Sequence, residues 1–169
     1  MKLTGTYNGK PIELELTEEQ VEVLEQAEKK ETGWERVKES WLYFCHNAYN
    51  ECASVSEFGG EATDKLFDCA NYFSSETLAK NIIRAQTLQR KLWRRNAELC
   101  ENMDWNNPDK DKWYIWYDCE QKEISLGISL EGYEFGQVYF DTKEHAEQAI
   151  KEFKDELIWY FTEFQSRMD

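Results

Sequence analysis

Histidines and paired cysteines are scarce in this 169-residue sequence. The only histidines are His46 and His145, and neither lies in a local pattern typical of a catalytic base and its partner. The five cysteines are odd in number, and no two have the two-residue spacing of a zinc knuckle or a redox motif. The sequence therefore predicts a non-enzymatic protein with no cofactor and no metal site, and it favours reduced thiols. For His46, Cys45 and Cys52 the favoured interpretation is strand residues with buried thiols, and the alternative is a metal site.

Long apolar runs and basic residues are also scarce. No stretch approaches the ~20 apolar residues that cross a bilayer, and the N-terminus lacks the apolar core of a signal peptide. The sequence contains 34 acidic residues and 20 lysines and arginines, which gives a formal charge of -14. Because such a surface repels phosphates, the composition argues against direct nucleic-acid binding and favours basic partners. The alternative is that the charge serves solubility alone. We expect a cytoplasmic protein without membrane contact.

An internal duplication is the clearest organisation in the sequence. Each copy begins with an aromatic-rich run typical of a strand, at 41–45 and at 113–117. Two further strand candidates follow in each copy, at 52–57, 66–73, 124–128 and 135–140. Each copy then enters a long amphipathic helix, so the predicted unit is a small antiparallel sheet closed by one helix.

The two copies align best where the Tyr-Phe pair enters the helix. Residues 72–83 and 139–150 align without gaps, with four identical positions. Ser74 and Asp141 stand where an N-cap is expected. Helical spacing predicts a first helix to about Leu99 and, in the second copy, an apolar seam of Ala146, Ile150, Phe153, Leu157, Tyr160 and Phe164.

A hairpin and an acidic helix precede the copies. Two strand candidates flank a turn at Asn8-Gly9, and apolar and acidic residues alternate in the second. Thr17 with Gln20 forms a capping box that begins the helix. The predicted fold class is α+β. Its parts are the N-terminal hairpin and acidic helix at 1–31, the first repeat at 39–100, a linker at 101–111 and the second repeat at 112–167.

Charged side chains form two candidate binding surfaces. The acidic candidates lie on the first and last helices and are Glu18, Glu19, Glu22, Glu25, Glu147, Asp155 and Glu156. A cationic ridge lies within about a quarter of the circumference of the first long helix and contains Lys80, Arg84, Lys91, Arg94 and Arg95. The ridge either contacts phosphate or an acidic partner, or is neutralised by the protein's own carboxylates. The second interpretation is favoured, because exposed charges usually pair with nearby charges or water.

Several short motifs resemble small accessory proteins encoded by phages and mobile elements of Gram-positive bacteria. They are Tyr7-Asn8-Gly9-Lys10, Leu16-Thr17-Glu18-Glu19-Gln20, Thr32-Gly33-Trp34-Glu35-Arg36-Val37, Asn71-Tyr72-Phe73, Lys112-Trp113-Tyr114-Ile115 and Val138-Tyr139-Phe140. The sequence departs from that pattern at Ala70, where glycine before Asn-Tyr-Phe is more typical. Small acidic phage proteins include inhibitors of host defence, among them anti-CRISPR proteins, so the resemblance implies action in the host cytoplasm.

The leading hypothesis is a phage-encoded binding protein that inhibits a basic, nucleic-acid-handling host protein such as a CRISPR nuclease. Its carboxylates would act as a nucleic-acid mimic and occupy a cleft that otherwise holds phosphates. The alternative is a nucleic-acid-binding accessory protein that uses the basic helix 80–95. An enzyme with an unrecognised site is a third hypothesis, and a homo-oligomer remains open.

Overall fold

The computed structural model describes residues 2–7, 10–21, 31–100, 104, 106–130 and 132–164. Within them the predicted α+β class is confirmed, because antiparallel sheets alternate with helices. Among the described residues, no helix combines the length and apolar character that would let it cross a bilayer.

The N-terminal hairpin pairs β1 (Lys2–Tyr7) with β2 (Lys10–Glu15) in antiparallel register. The predicted capping box is confirmed: the backbone N of Thr17 donates to Oε1 of Gln20 at 3.1 Å, and the N of Gln20 donates to Oγ1 of Thr17 at 3.3 Å. Residues 18–21 are helical. The predicted turn at 8–9, the rest of the acidic helix at 22–30, and residues 101–103 and 105 of the linker lie outside the described residues.

The first repeat contains a hairpin and two helices. Its elements are β3 (Leu42–His46), β4 (Cys52–Ser56), α1 (Glu61–Asp68) and α2 (Glu76–Leu99). The predicted third strand at 66–73 is wrong, because α1 occupies its first part. Glu61 and Asp64 favour the positive start of that helix, and an ion pair of 2.6 Å joins Glu61 to Lys65 one turn later.

The second repeat contains a three-stranded sheet and one long helix. Its elements are β5 (Lys112–Asp118), β6 (Glu123–Ser129), β7 (Tyr139–Phe140), α3 (Lys143–Trp159) and a π-helical turn (Tyr160–Phe164). The strand order is β6-β5-β7, with both pairings antiparallel. Residues 165–167 of the predicted repeat lie outside the described residues.

The two repeats place their Tyr-Phe pairs in the same position. Phe73 forms an antiparallel bridge with Phe44 on β3, and Phe140 pairs with Trp113 on β5. In each repeat the pair therefore lies along the free edge of the hairpin's first strand and leads into the helix. This register makes Phe44 the counterpart of Trp113, so an alignment that sets Trp41 beside Trp113 is three residues out.

The predicted N-caps are wrong by one residue in both repeats. Oγ of Ser75 accepts a hydrogen bond from the backbone N of Leu78 at 3.3 Å, and Oγ1 of Thr142 accepts one from the N of His145 at 3.2 Å. Ser74 and Asp141 instead precede the cap, and their side chains bond to Glu35 and His145, respectively.

The largest core lies where α2 and α3 meet the sheet of the second repeat. Leu88 and Leu92 of α2 pack there with Phe153 and Leu157 of α3 and with Phe140. The predicted α3 seam is confirmed: its members are buried or half-buried. A smaller core under β3 consists of Tyr43, Cys45 and Tyr72. Because α2 closes its own repeat and also packs on α3, it is the central helix of the fold.

Candidate functional site

The cationic ridge of α2 faces carboxylates of the same chain. Nζ of Lys80 lies 2.7 Å from Oε1 of Glu76. Nη1 of Arg95 donates to Oε2 of Glu98 at 3.1 Å, and its Nε lies 3.0 Å from Oε2 of Glu152, although that contact lacks hydrogen-bond alignment. The predicted neutralisation of the ridge by carboxylates is thus present at these two cations.

Two further ridge cations make longer ion pairs. Nζ of Lys91 lies 3.8 Å from Oε1 of Glu156 on α3, and Nε of Arg94 lies 3.9 Å from Oε1 of Glu98. Exposed pairs of this kind contribute only about 0–1 kcal/mol to stability. They nevertheless place a carboxylate beside each of these two cations.

Two cations of α2 have no carboxylate partner among the described residues. The guanidinium carbon of Arg84 lies 3.8 Å from the ring centroid of Trp159, a cation–π contact. Arg90, which is not among the predicted ridge residues, donates to Oδ1 of Asn50 and, at 3.3 Å, to Oγ1 of Thr87. Arg90 also lines a groove of about 600 Å³ beside the β3–β4 turn, together with His46.

The acidic candidates are only partly available for a partner. Glu147 lies 3.4 Å from Lys143, and Glu156 faces Lys91 as described above. By contrast, Glu18, Glu19 and Asp155 are exposed and make no ion pair with another described residue. Glu22 and Glu25 lie outside the described residues.

The motif at 32–37 folds against the Asn71-Tyr72-Phe73 motif. The ring centroids of Trp34 and Phe73 are 4.7 Å apart. The carboxylate of Glu35 accepts hydrogen bonds from the N of Thr32 at 2.7 Å, the N of Gly33 at 2.9 Å and Oγ of Ser74 at 3.2 Å. The hydrogen bonds from Thr32 are the main reason that the pKa of Glu35 falls to about 2.

Asn71 extends this junction to the other end of β3. Its Oδ1 accepts from the N of His46 at 2.7 Å, and its Nδ2 donates to the O of His46 at 3.0 Å, which imitates strand pairing. The motifs at 32–37 and 71–73 therefore hold the segment before β3, and the end of α1, onto β3.

Cys100, Asp141 and His145 meet between the end of α2 and the start of α3. Oδ1 of Asp141 lies 2.6 Å from Nδ1 of His145, and one ligand atom from each of the three residues lies within 4.8 Å of the others. Burial raises the pKa of the Cys100 thiol to about 11. Burial would also raise the pKa of Asp141, but the hydrogen bonds from His145 and Cys100 outweigh it and hold that pKa below its usual value.

This cluster is absent from the sequence predictions because 41 positions separate Cys100 from Asp141. The four-residue spacing of Asp141 and His145 at a helix start was the available signal. The alternative metal position at His46 is not assembled: His46 lies opposite Cys52 in the hairpin, while Cys45 points to the other face, into the core under β3. Nε2 of His46 lies 2.9 Å from Oδ1 of Asn50 instead.

No protein-family model matches the chain, and neither curated proteins nor solved structures give a significant match.

Proposed function

We propose that this chain is a non-enzymatic binding protein that inhibits a basic, nucleic-acid-handling host defence protein by occupying its nucleic-acid cleft. The supporting observation is the internal pairing of the α2 ridge, where four of the five predicted cations lie near carboxylates of the same chain. A phosphate backbone would have to displace those carboxylates. A basic cleft, in contrast, would meet a chain with a formal charge of -14.

The exposed carboxylates that form no ion pair with a described residue are the groups that would enter such a cleft. Glu18, Glu19 and Asp155 have no cation partner among the described residues, so their contact with lysines or arginines costs chiefly their hydration. Charge attraction of this kind gives fast association that weakens as salt is added.

Exposed aromatic side chains supply apolar anchors for the same contact. Trp41 and Phe58 are 62% and 72% exposed. They lie close together, because the backbone N of Glu57 donates to the O of Trp41 at 2.8 Å and Phe58 follows directly in the chain. Tryptophan is among the residues that dominate binding energy at protein interfaces, so this edge of the first repeat offers a second contact region for the partner.

Affinity capture from a Gram-positive host with an active defence system tests the proposal. The tagged chain should retain a basic nuclease or surveillance complex at about 50 mM salt and release it as salt rises. The purified partner should then lose nucleic-acid cleavage when the chain is added. Recovery of the chain alone would sink the proposal and point to a homo-oligomer.

Matched charge-reversal variants locate the contact. The variant Glu18→Lys, Glu19→Lys, Asp155→Lys should lose capture of the partner and inhibition of its cleavage. The control variant Asp68→Lys, Glu120→Lys, Glu123→Lys changes the net charge equally at other exposed sites and should retain both. Equal losses in the two variants would show that net charge alone drives binding.

Direct nucleic-acid binding is the second candidate, and it is favoured by Arg84 and Arg90, which form no ion pair with a described carboxylate. Gel-shift binding to DNA or RNA at about 50 mM salt, lost in Arg84→Glu with Arg90→Glu, would support it. The matched control is Lys110→Glu with Lys122→Glu, because both lysines are exposed and lie outside α2. No shift at that salt concentration would count heavily against this candidate.

A further inference from the structure

Three separate backbone features hold Cys100, Asp141 and His145 in place. Cys100 is the C-cap of α2, and its N donates to the O of Asn96 at 2.8 Å. Asp141 directly follows β7, and His145 lies in the capped first turn of α3. The cluster is therefore preorganised by the same packing that brings α2 and α3 together.

The ligand atoms suit one metal ion better than they suit proton transfer. Zinc binds sulfur at about 2.3 Å and imidazole nitrogen or carboxylate oxygen at about 2.0–2.2 Å, so a single ion can reach three atoms that lie within 4.8 Å of one another. The hydrogen-bond partners also argue against a cysteine nucleophile. A nucleophile would bond to its base, but the hydrogen bond to His145 is made by Asp141 and not by Cys100.

We propose that Cys100, Asp141 and His145 bind a zinc-class divalent ion that joins the end of α2 to the start of α3. A thiolate and a carboxylate together neutralise the dication, and the mixture of sulfur, nitrogen and oxygen favours zinc or cobalt over magnesium or calcium. The side chains of His145 and Asp141 remain 27% and 23% exposed, so a water molecule can occupy the fourth position.

Asn96 supports the sulfur ligand from one turn earlier in α2. Its Nδ2 donates to Sγ of Cys100 at 3.3 Å and also donates to the backbone O of Tyr139. A hydrogen bond to sulfur stabilises the negative charge that a metal-bound thiolate carries, and it fixes the direction of the ligand. The positive N-terminal end of α3 opposes a cation here. The two anionic ligands outweigh that partial charge.

Cobalt binding to the full chain tests the site. The chain, reduced and stripped with a chelator, should bind one Co²⁺ with the visible absorption of a tetrahedral site and a thiolate-to-cobalt charge-transfer band in the near ultraviolet. Zn²⁺ should displace the cobalt and raise the temperature of unfolding. Absence of saturable binding at micromolar Co²⁺ and Zn²⁺ would overturn the proposal.

Variants assign the ligands. Cys100→Ser should abolish the charge-transfer band, and His145→Gln should abolish tetrahedral binding. Asn96→Leu should weaken zinc binding about tenfold. Cys69→Ser and Cys119→Ser remove exposed thiols elsewhere and should leave the spectrum unchanged. If Cys100→Ser fails to fold, His145→Gln decides, since His145 is partly exposed. Unchanged cobalt spectra in a folded His145→Gln variant would overturn the assignment.

Discussion

The hydroxyl of Tyr72 donates a 2.7 Å hydrogen bond to Oε2 of Glu57. The side chain of Glu57 is only 5% exposed, and it also accepts hydrogen bonds from Nε of Arg36 at 3.4 Å and the N of Gly59 at 2.7 Å. The Tyr72 hydroxyl in turn accepts from the N of Val37 at 3.1 Å. Burial and the neighbouring carboxylate raise the pKa of Tyr72 to about 12, so this hydroxyl stays a donor at every ordinary pH.

Tyr72→Phe should lower the free energy of unfolding by about 1–3 kcal/mol, because the buried carboxylate of Glu57 and the N of Val37 each lose a partner. Urea denaturation of the purified chain measures the loss. Tyr43→Phe is the control: its ring stacks on Tyr72 at 4.2 Å, and its hydroxyl bonds to no other described residue. Equal stabilities for the two variants would contradict this role of the Tyr72 hydroxyl.

Ala70 occupies a backbone position that favours glycine. After α1 the N of Ala70 donates to the O of Phe67 at 3.0 Å and the N of Asn71 donates to the O of Leu66 at 2.8 Å, the paired bonds of a Schellman motif. Ala70 has a φ of 53°, in the left-handed region. The glycine that the resemblance leads one to expect at this position is the residue that this geometry accommodates best.

Ala70→Gly should raise the free energy of unfolding by about 0.5–1 kcal/mol, since relief of the left-handed strain exceeds the added freedom of the unfolded chain. The side chain is exposed, so no packing is lost. Ala62→Gly, at an exposed position inside α1, should have the opposite effect, a loss of about 0.5–1 kcal/mol. A loss of stability in both variants would show that the left-handed strain at residue 70 is negligible.

The hairpins and long helices could be predicted because their periodicities are local. Thr17 and Gln20 gave the first helix start, and the spacing of Phe153 and Leu157 gave the buried face of α3. The extra helix α1 was harder to predict. Leu66 and Phe67 fit an apolar strand as readily as they fit the apolar face of a short amphipathic helix.

Strand register and site assembly depend on tertiary contacts. Trp41 matches Trp113 by residue type, but pairing with the Tyr-Phe segment selects Phe44 as its counterpart. Helical spacing placed Arg95 on a cationic ridge without showing that Glu152 of α3 faces it. Cys100 and Asp141 meet only because α2 packs on α3, and no local pattern records that contact.

Glu35→Gln should destabilise the chain at neutral pH and make its stability less sensitive to acid. The pKa of Glu35 falls from 4.5 to about 2 on folding, so its stabilising effect is complete above about pH 4.5 and is lost as the pH falls towards 2. The difference in urea midpoint between parent and variant should shrink over that range. Glu39→Gln, at an exposed site nearby, should follow the parent. A constant difference between parent and Glu35→Gln from pH 7 to about pH 3 would contradict the assignment.

Gly127→Ala should lower the free energy of unfolding by about 1–3 kcal/mol through overpacking. Gly127 lies opposite Tyr114 in the β5–β6 pair, and a Cβ there would lie 2.3 Å from Cζ of that tyrosine, so the ring would have to leave its edge contact with Tyr139. A Cβ added at Gly132 would have no other heavy atom within 4 Å. The free energy of unfolding of Gly132→Ala should therefore stay within about 0.5 kcal/mol of the parent's. Urea denaturation in a Tyr114→Ser background separates the causes: if the clash is responsible, the cost of Gly127→Ala disappears there, whereas an undiminished cost would place the effect in the backbone.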